Sequence, residues 1–356
     1  MPAPLSALLS QVLVALTVEI DNTYESRAPH HTQRFGSQGP WLVSYGFWAN
    51  LLRLVTDEAI SVRELSTRAG TERVPHPSLN GMIRWGYVYA GPDGARLRQK
   101  DPRPDWLVQA TSVGRTCSAI SAEVPGEVEA RWRARLGAET VDALGDQARS
   151  IVATTGLVLP GYLPQLGPRL YSPGGPSADT VPGPAALITA LSNLLHAFAL
   201  EAEDGLPLGL AALANTSRVL GDDPRPERDL PSVSGIAKES SRWASGVLER
   251  DGYLATAPDP VTGRGRVLSL TPTGLALRAR YEQAVGATED AWAERFGPSV
   301  TALRDVLEYL VEGDGAGALR AATVPPEGSW RARVGGGAVL PHFPFVSHRG
   351  GYPDGA

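Results

Sequence analysis

Apolar residues at the start of the chain recur at helical spacing. Leu5, Leu8, Leu9, Val12, Leu13 and Leu16 fall on one face and predict a helix over residues 5–19. The polar stretch 21–39 reads as a loop, and 40–54, with Trp41, Tyr45, Phe47 and Trp48, as another helix. Ser61 with Glu64 three residues later forms a capping box for a short helix that Gly70 ends. Residues 77–85 predict a short helix stopped by Gly86. Tyr87-Val88-Tyr89 and residues 105–110 predict two strands around a turn at 91–94, and 124–153 reads as helical.

The clearest pattern lies between Gly235 and Gly274. Trp243, Ala244, Val247 and Leu248 make an apolar stripe that leaves Lys238, Ser240, Ser241, Arg242 and Ser245 on the polar side of a helix. Asp251-Gly252 stops it. Tyr253 and Leu254 open an extended run, and Pro258, Asp259, Pro260 and Gly263 make a turn. A second strand covers 266–270. Thr271 is placed to cap the next helix, with Pro272 at its first position. A polar-faced helix, a hairpin with a cationic tip and a further helix make a winged helix-turn-helix. Such a helix fits a DNA major groove, and the hairpin tip reaches a neighbouring phosphate or the minor groove.

These residues resemble the MarR (multiple antibiotic resistance regulator) family of transcription factors. The family's wing reads Asp-x-Arg and, a few residues on, Leu-Thr-x-x-Gly. Arg264 falls on the Arg, and Leu270-Thr271-Pro272-Thr273-Gly274 match the end. Thr262 stands at the Asp position, with Asp259 nearby, and Ala237 stands where the family has a Ser or similar N-cap. The resemblance implies a regulator whose partner is double-stranded DNA, with a small aromatic effector held between the DNA-binding lobe and the outer helices. Trp41, Tyr45, Trp48 and Trp85 read as core beside that implication.

The pattern occurs twice. Asn50, Arg53, Asp57, Arg63, Leu65 and Gly70 recur at one constant spacing as Asn215, Arg218, Asp222, Arg228, Leu230 and Gly235. Thr111 and Gly114 recur as Thr271 and Gly274. Trp132, Arg135 and Gly137 recur as Trp292, Arg295 and Gly297, and Ala15 and Glu19 as Ala197 and Glu201. Ordered matches of this kind read as an internal duplication. The expected layout is a first unit at 1–155, a Pro/Gly-rich linker at 156–184, a second unit at 185–315 and a Gly/Pro/aromatic tail at 316–356. Family members pair through their outer helices. The expected fold is therefore mainly α (α+β), with two tandem winged helix-turn-helix domains whose flanking dimerisation-type helices pack as an intramolecular pseudo-dimer. The chain would act as a monomer.

The copies differ at the expected DNA surface. The first recognition helix, read as short and as containing Pro75 and Pro77, offers His76, Ser78, Asn80 and Arg84. Its longer wing carries Arg96, Arg98, Lys100 and Arg103. The second copy offers Lys238, Ser240, Ser241, Arg242, Ser245, Arg264 and Arg266. The formal net charge is −5, so any DNA contact rests on local cationic surface. The single cysteine, Cys117, reads as a small buried residue and excludes an intrachain disulfide or a thiolate zinc site. His30-His31 has no carboxylate pair at ligand spacing. No metal, cofactor, membrane span or signal peptide is expected, and the expected compartment is the cytoplasm. Nucleotide-binding glycine motifs are missing and no enzyme is expected. The alternative is a duplicated winged-helix scaffold for protein–protein contact without DNA. A tandem winged-helix glycosylase is a third reading, without an identifiable acid, base or Gln-rich motif.

Overall fold

The computed structural model describes residues 3–29, 51–69, 77–97, 101–157, 186–221, 223–327 and 339–344. The side chains of Pro77, Ser78 and Glu239 are outside that description, as are most of the expected helix at 40–54, Pro75 and nearly all of the linker. The described chain is mainly helical, with two small antiparallel sheets.

Helix α1 spans Leu5–Arg27, further than the apolar repeat indicates. Asp21 and Asn22, expected to open a loop, are buried in its last turns. The helix continues because it is packed along nearly its whole length, against later helices on several sides. Polar positions bond within it, as when the Thr17 and Thr23 hydroxyls donate to the Leu13 and Glu19 carbonyls. At this length α1 is long and apolar enough to cross a membrane, which the sequence reading did not foresee. Yet 89% of its most apolar 18-residue window is buried inside the protein, as in a central core helix.

The rest of the first half follows as β1 (Ile60–Ser61), α2 (Val62–Arg68), α3 (Pro77–Arg84), β2 (Val88–Gly91), β3 (Leu107–Ala110), α4 (Ser112–Leu136) and α5 (Ala138–Thr154). Ser61 caps α2 by accepting the Glu64 N–H at 3.1 Å. The second half has α6 (Leu187–Ala202) and α7, which begins at Leu210–Ala212 and widens into a π-turn at Leu213–Ser217. Then come β4 (Arg225–Pro226), α8 (Leu230–Ser234), α9 (Lys238–Arg250), β5 (Leu254–Pro258), β6 (Arg266–Leu270), α10 (Pro272–Phe296) and α11 (Pro298–Val311). Helix α12 (Ala316–Ala322) lies in the stretch expected to be tail.

The two sheets have the same order, β1-β3-β2 and β4-β6-β5, with every pair antiparallel. Local bonds also repeat. Thr111 caps α4 through the Gly114 N–H and donates to the Gly86 carbonyl; Thr271 caps α10 through the Gly274 N–H and donates to the Gly252 carbonyl. Glycine is required at both cap positions. A Cβ on Gly114 would lie 1.9 Å from the Tyr87 carbonyl oxygen, and one on Gly274 would lie 2.0 Å from that of Tyr253.

The helices of the two halves interleave. Helix α1 packs on α11 and α6 on α5, so the first helix of each half lies on the last helix of the other; α1 also packs on α6, and α5 on α11. The contacts are reciprocal. The Leu5 N–H in the first turn of α1 donates to Glu289 of α10, and the Leu187 N–H in the first turn of α6 donates to Glu129 of α4 at 3.2 Å. Glu129 and Glu289 stand three residues before Trp132 and Trp292. One side-chain cluster also occurs twice. Glu19 accepts from the Trp132 indole at 2.8 Å and from Arg135 and Arg131, and Glu201 accepts from the Trp292 indole at 3.0 Å and from Arg295. Burial pushes the Glu19 carboxyl up, but the bonds from Arg135, Arg131 and Trp132 outweigh it and hold the group below the usual carboxylate range.

His196 of α6 is fully buried, and burial lowers its pKa to about 4. An imidazole in the unfolded chain takes its proton near pH 6.5. As pH falls from 6.5 towards 4, the unfolded state binds the proton first, so stability is full above this window and lost through it. We expect denaturant unfolding at pH 5 to show about 2 kcal/mol less stability from this residue than at pH 7. His196→Leu should remove that share of the slope; an equally steep fall in the variant would show that the imidazole is not responsible.

Candidate nucleic-acid interface

Helix α9 has a wide buried face. Ala244 and Leu248 are fully buried and Val247 nearly so, as the apolar stripe predicts. Ser240, Ser241 and Ser245, expected on the polar side, are buried as well. The helix is wedged among α7, α8 and β5, and only small side chains fit the flanks of that wedge. The Ser245 hydroxyl has no hydrogen-bond partner among the described residues. These serines therefore hold the helix in place, with Ser241 alone reaching the edge of the surface cleft described next. The exposed stripe is narrower, with Lys238 and Arg242 one turn apart.

A cleft of about 350 Å³ lies between this stripe and the hairpin. It is bounded by Glu227, Arg228 and Pro231 on one side, Lys238, Ser241 and Arg242 on α9, and Arg264, Gly265 and Arg266 on the hairpin. Five cations meet there, and they divide into two groups. Arg266, expected to contact DNA, is exposed but already paired: it bridges to Glu227 at 3.0 Å and Glu249 at 3.2 Å, tying β6 to β4's trailing turn and to α9. The pairing with Arg266 holds the Glu227 carboxyl below its ordinary range and raises the guanidinium further. Arg228 pairs with Asp259 at 3.2 Å. By contrast, Lys238, Arg242 and Arg264 make no ion pair among the described residues. They supply the outward charge of the cleft.

The hairpin tip is braced without them. Asp259 is 3% exposed and accepts from the Val261 and Thr262 N–H groups and the Thr262 hydroxyl. These bonds, the Thr262 hydroxyl first, hold its carboxyl below the usual value. Asp259 thus stiffens the turn rather than pairing with Arg264. The Thr262 hydroxyl oxygen in turn accepts the Arg264 N–H at 3.3 Å, which fixes the backbone from which Arg264 projects.

In the first half, Asn80 is half-buried and engaged by a neighbour. Its amide donates to Asp101 at 2.7 Å and accepts the Asp101 N–H at 2.8 Å, pinning the wing to α3. Asp101 has φ 53°, a conformation that non-glycine residues keep only when held. Arg84, Arg96 and Arg103 are exposed, with Arg96 over the Tyr89 ring at 6.0 Å. His76, Arg98, Lys100 and the Ser78 side chain lie outside the described residues. The structure therefore brings Lys238, Arg242 and Arg264 together, whereas of the first-half cations it describes, Arg84 ends α3 and Arg96 and Arg103 lie in the β2–β3 connection.

Sequence reasoning missed Glu227, Arg228 and the bracing role of Arg266. The signal was the charged run Arg225 to Asp229 just before α8. Of the aromatic core residues, Trp85 is buried, whereas Trp41, Tyr45 and Trp48 lie outside the described residues. Cys117 is buried as expected, and burial pushes its thiol up. Among the described residues no cluster of His, Cys, Asp or Glu could hold a metal ion. Comparison of the chain with family models, curated proteins and solved structures found no match.

Proposed function

We propose that the chain is a DNA-binding transcriptional regulator of MarR type, made of two fused winged helix-turn-helix units that act as a monomeric pseudo-dimer. The observation that carries this reading is the cleft in which Lys238 and Arg242 of α9 meet Arg264 of the hairpin, three cations in no ion pair among the described residues beside a single carboxylate, Glu227, that is already paired with Arg266. A helix and a braced cationic tip, side by side, suit a major groove and its flanking phosphates. Strand β1 and helices α2–α3 with the β2–β3 hairpin, and strand β4 and helices α8–α9 with the β5–β6 hairpin, are the two winged units of this reading. The interleaving of α1, α5, α6 and α11 supports the pseudo-dimer, since reciprocal contacts are the mark of a two-fold interface.

The test is a salt titration of duplex binding by the full chain. Affinity should fall linearly on a log–log scale as counter-ions compete. Arg264→Ala should weaken binding and make the slope shallower by about one. An unchanged slope and affinity would remove Arg264 from the interface. No duplex binding at low salt would favour the protein–protein scaffold.

A further inference from the structure

The segment 339–344 follows the second half in sequence, yet it is bonded into both halves. The Ser10 hydroxyl of α1, in the first half, donates to the Pro341 carbonyl at 2.9 Å. Asn215 of α7, in the second half, is fully buried and grips the segment three times. Its amide donates to the Phe343 carbonyl at 2.7 Å, and its carbonyl oxygen accepts the His342 and Phe343 N–H groups at 2.9 and 3.2 Å. Phe343 itself is fully buried in the common core.

The third contact is with Gly235, the left-handed residue between α8 and α9 at φ 78°. A Cβ there would lie 2.6 Å from the Val339 carbonyl oxygen and 2.8 Å from Leu340 and Pro341 backbone atoms. The segment's backbone therefore presses directly on the turn from which α9, with Lys238 and Arg242, departs. All three contacts use main-chain atoms of the segment, so the docking depends on its path more than on its side chains, Phe343 excepted.

We propose that residues 339–344 form a latch, with this chain's own C-terminal segment as its occupant, that fixes the α8–α9 turn against α1 and thereby sets the orientation of the cleft. Undocking the segment withdraws Phe343 and the Asn215 bonds from the second half and so loosens α9 locally, and any partner or modification that captures the tail would act on the cleft. The latch itself stands without the DNA reading; only its effect on duplex binding rests on that reading.

The experiment compares amide exchange in the full chain and in two full-length variants, Phe343→Ala and Asn215→Ala. The Gly235 and Ser241 amides, bonded to the Pro231 and Ala237 carbonyls, report on the turn. Helix α5 is the internal control. Both variants should speed exchange over 233–241 at least tenfold and leave α5 unchanged, and the parent's duplex affinity should shift at least threefold. Unchanged exchange over 233–241 in both variants overturns the latch, as does faster exchange shared equally by α5. Faster exchange confined to the turn, in a chain that binds no duplex before or after substitution, supports the latch and rejects the DNA reading.

Discussion

Trp132→Ala should destabilise the protein by about 3–5 kcal/mol, the scale of deleting a fully buried indole. Trp132 is fully buried, and its N–H is one of three donors on the Glu19 carboxylate, so the substitution leaves both a cavity and a carboxylate short of a partner. Trp132→Phe retains much of the packing and should cost less, about 1–3 kcal/mol for the lost donor. The repeated cluster supplies an internal comparison. The Glu19 side chain is 12% exposed and takes Arg131, Arg135 and Trp132, whereas that of Glu201 is 32% exposed and takes Arg295 and Trp292. Breaking a buried pair costs about 3–5 kcal/mol, against about 0–1 kcal/mol at an exposed site. Glu19→Ala should therefore cost more than Glu201→Ala in denaturant titrations. Equal losses would show that the extra donor and deeper burial do not matter. The Glu19 share has the usual carboxylate sign: it is present above about pH 4.3 and lost as pH falls through the depressed folded value.

Replacing Lys238, Arg242 and Arg264 together by Ala should make the salt slope shallower by about three, if each neutralises one phosphate. Replacing Arg84, Arg96 and Arg103 should weaken binding to all sequences alike. The difference follows from the two surfaces. Helix α9 has 13 residues and an open cleft beside it, whereas α3 has 8 and its Asn80 is spent on Asp101. Phosphate contacts position a protein, and base contacts specify. We expect a selected duplex to be non-palindromic, with the second unit covering the more informative half in footprinting. Two inverted half-sites of equal information would contradict this division.

The elements that carry strong punctuation were legible in the sequence. Thr271-Pro272 marks a true helix start, Gly252 and Gly86 true stops, and the Trp132/Trp292 and Glu19/Glu201 matches point to real side-chain clusters, whereas the helical reading from 124 starts late, since α4 begins at Ser112 behind the Thr111 cap. What escaped was burial without hydrophobicity. Asp21 and Asn22 read as loop because charge and amide break an apolar repeat, yet a helix packed on several sides keeps them. Ser240, Ser241 and Ser245 read as an outer face because hydroxyls are polar, yet a wedged helix needs small side chains more than apolar ones. The candidate site shows the same limit. Arg264 and Arg266 look equivalent in sequence, and only the placement of Glu227 and Glu249 separates brace from free cation. The docking of 339–344 had no local signal, since its partners are Ser10, Asn215 and Gly235.

The crossed packing of first and last helices sets a timetable for synthesis. Helix α1 ends at residue 27, but α11, on which it packs, begins at residue 298. At ribosomal rates that delay is roughly 15–60 s, during which a long apolar helix has lost part of its cover. Helix α6 faces no such wait, because its cross-partner α5 is already made. The nascent chain is thus lopsided in time: α1 lacks part of its cover until residues 298–322 are made, whereas α6 finds its cross-partner waiting.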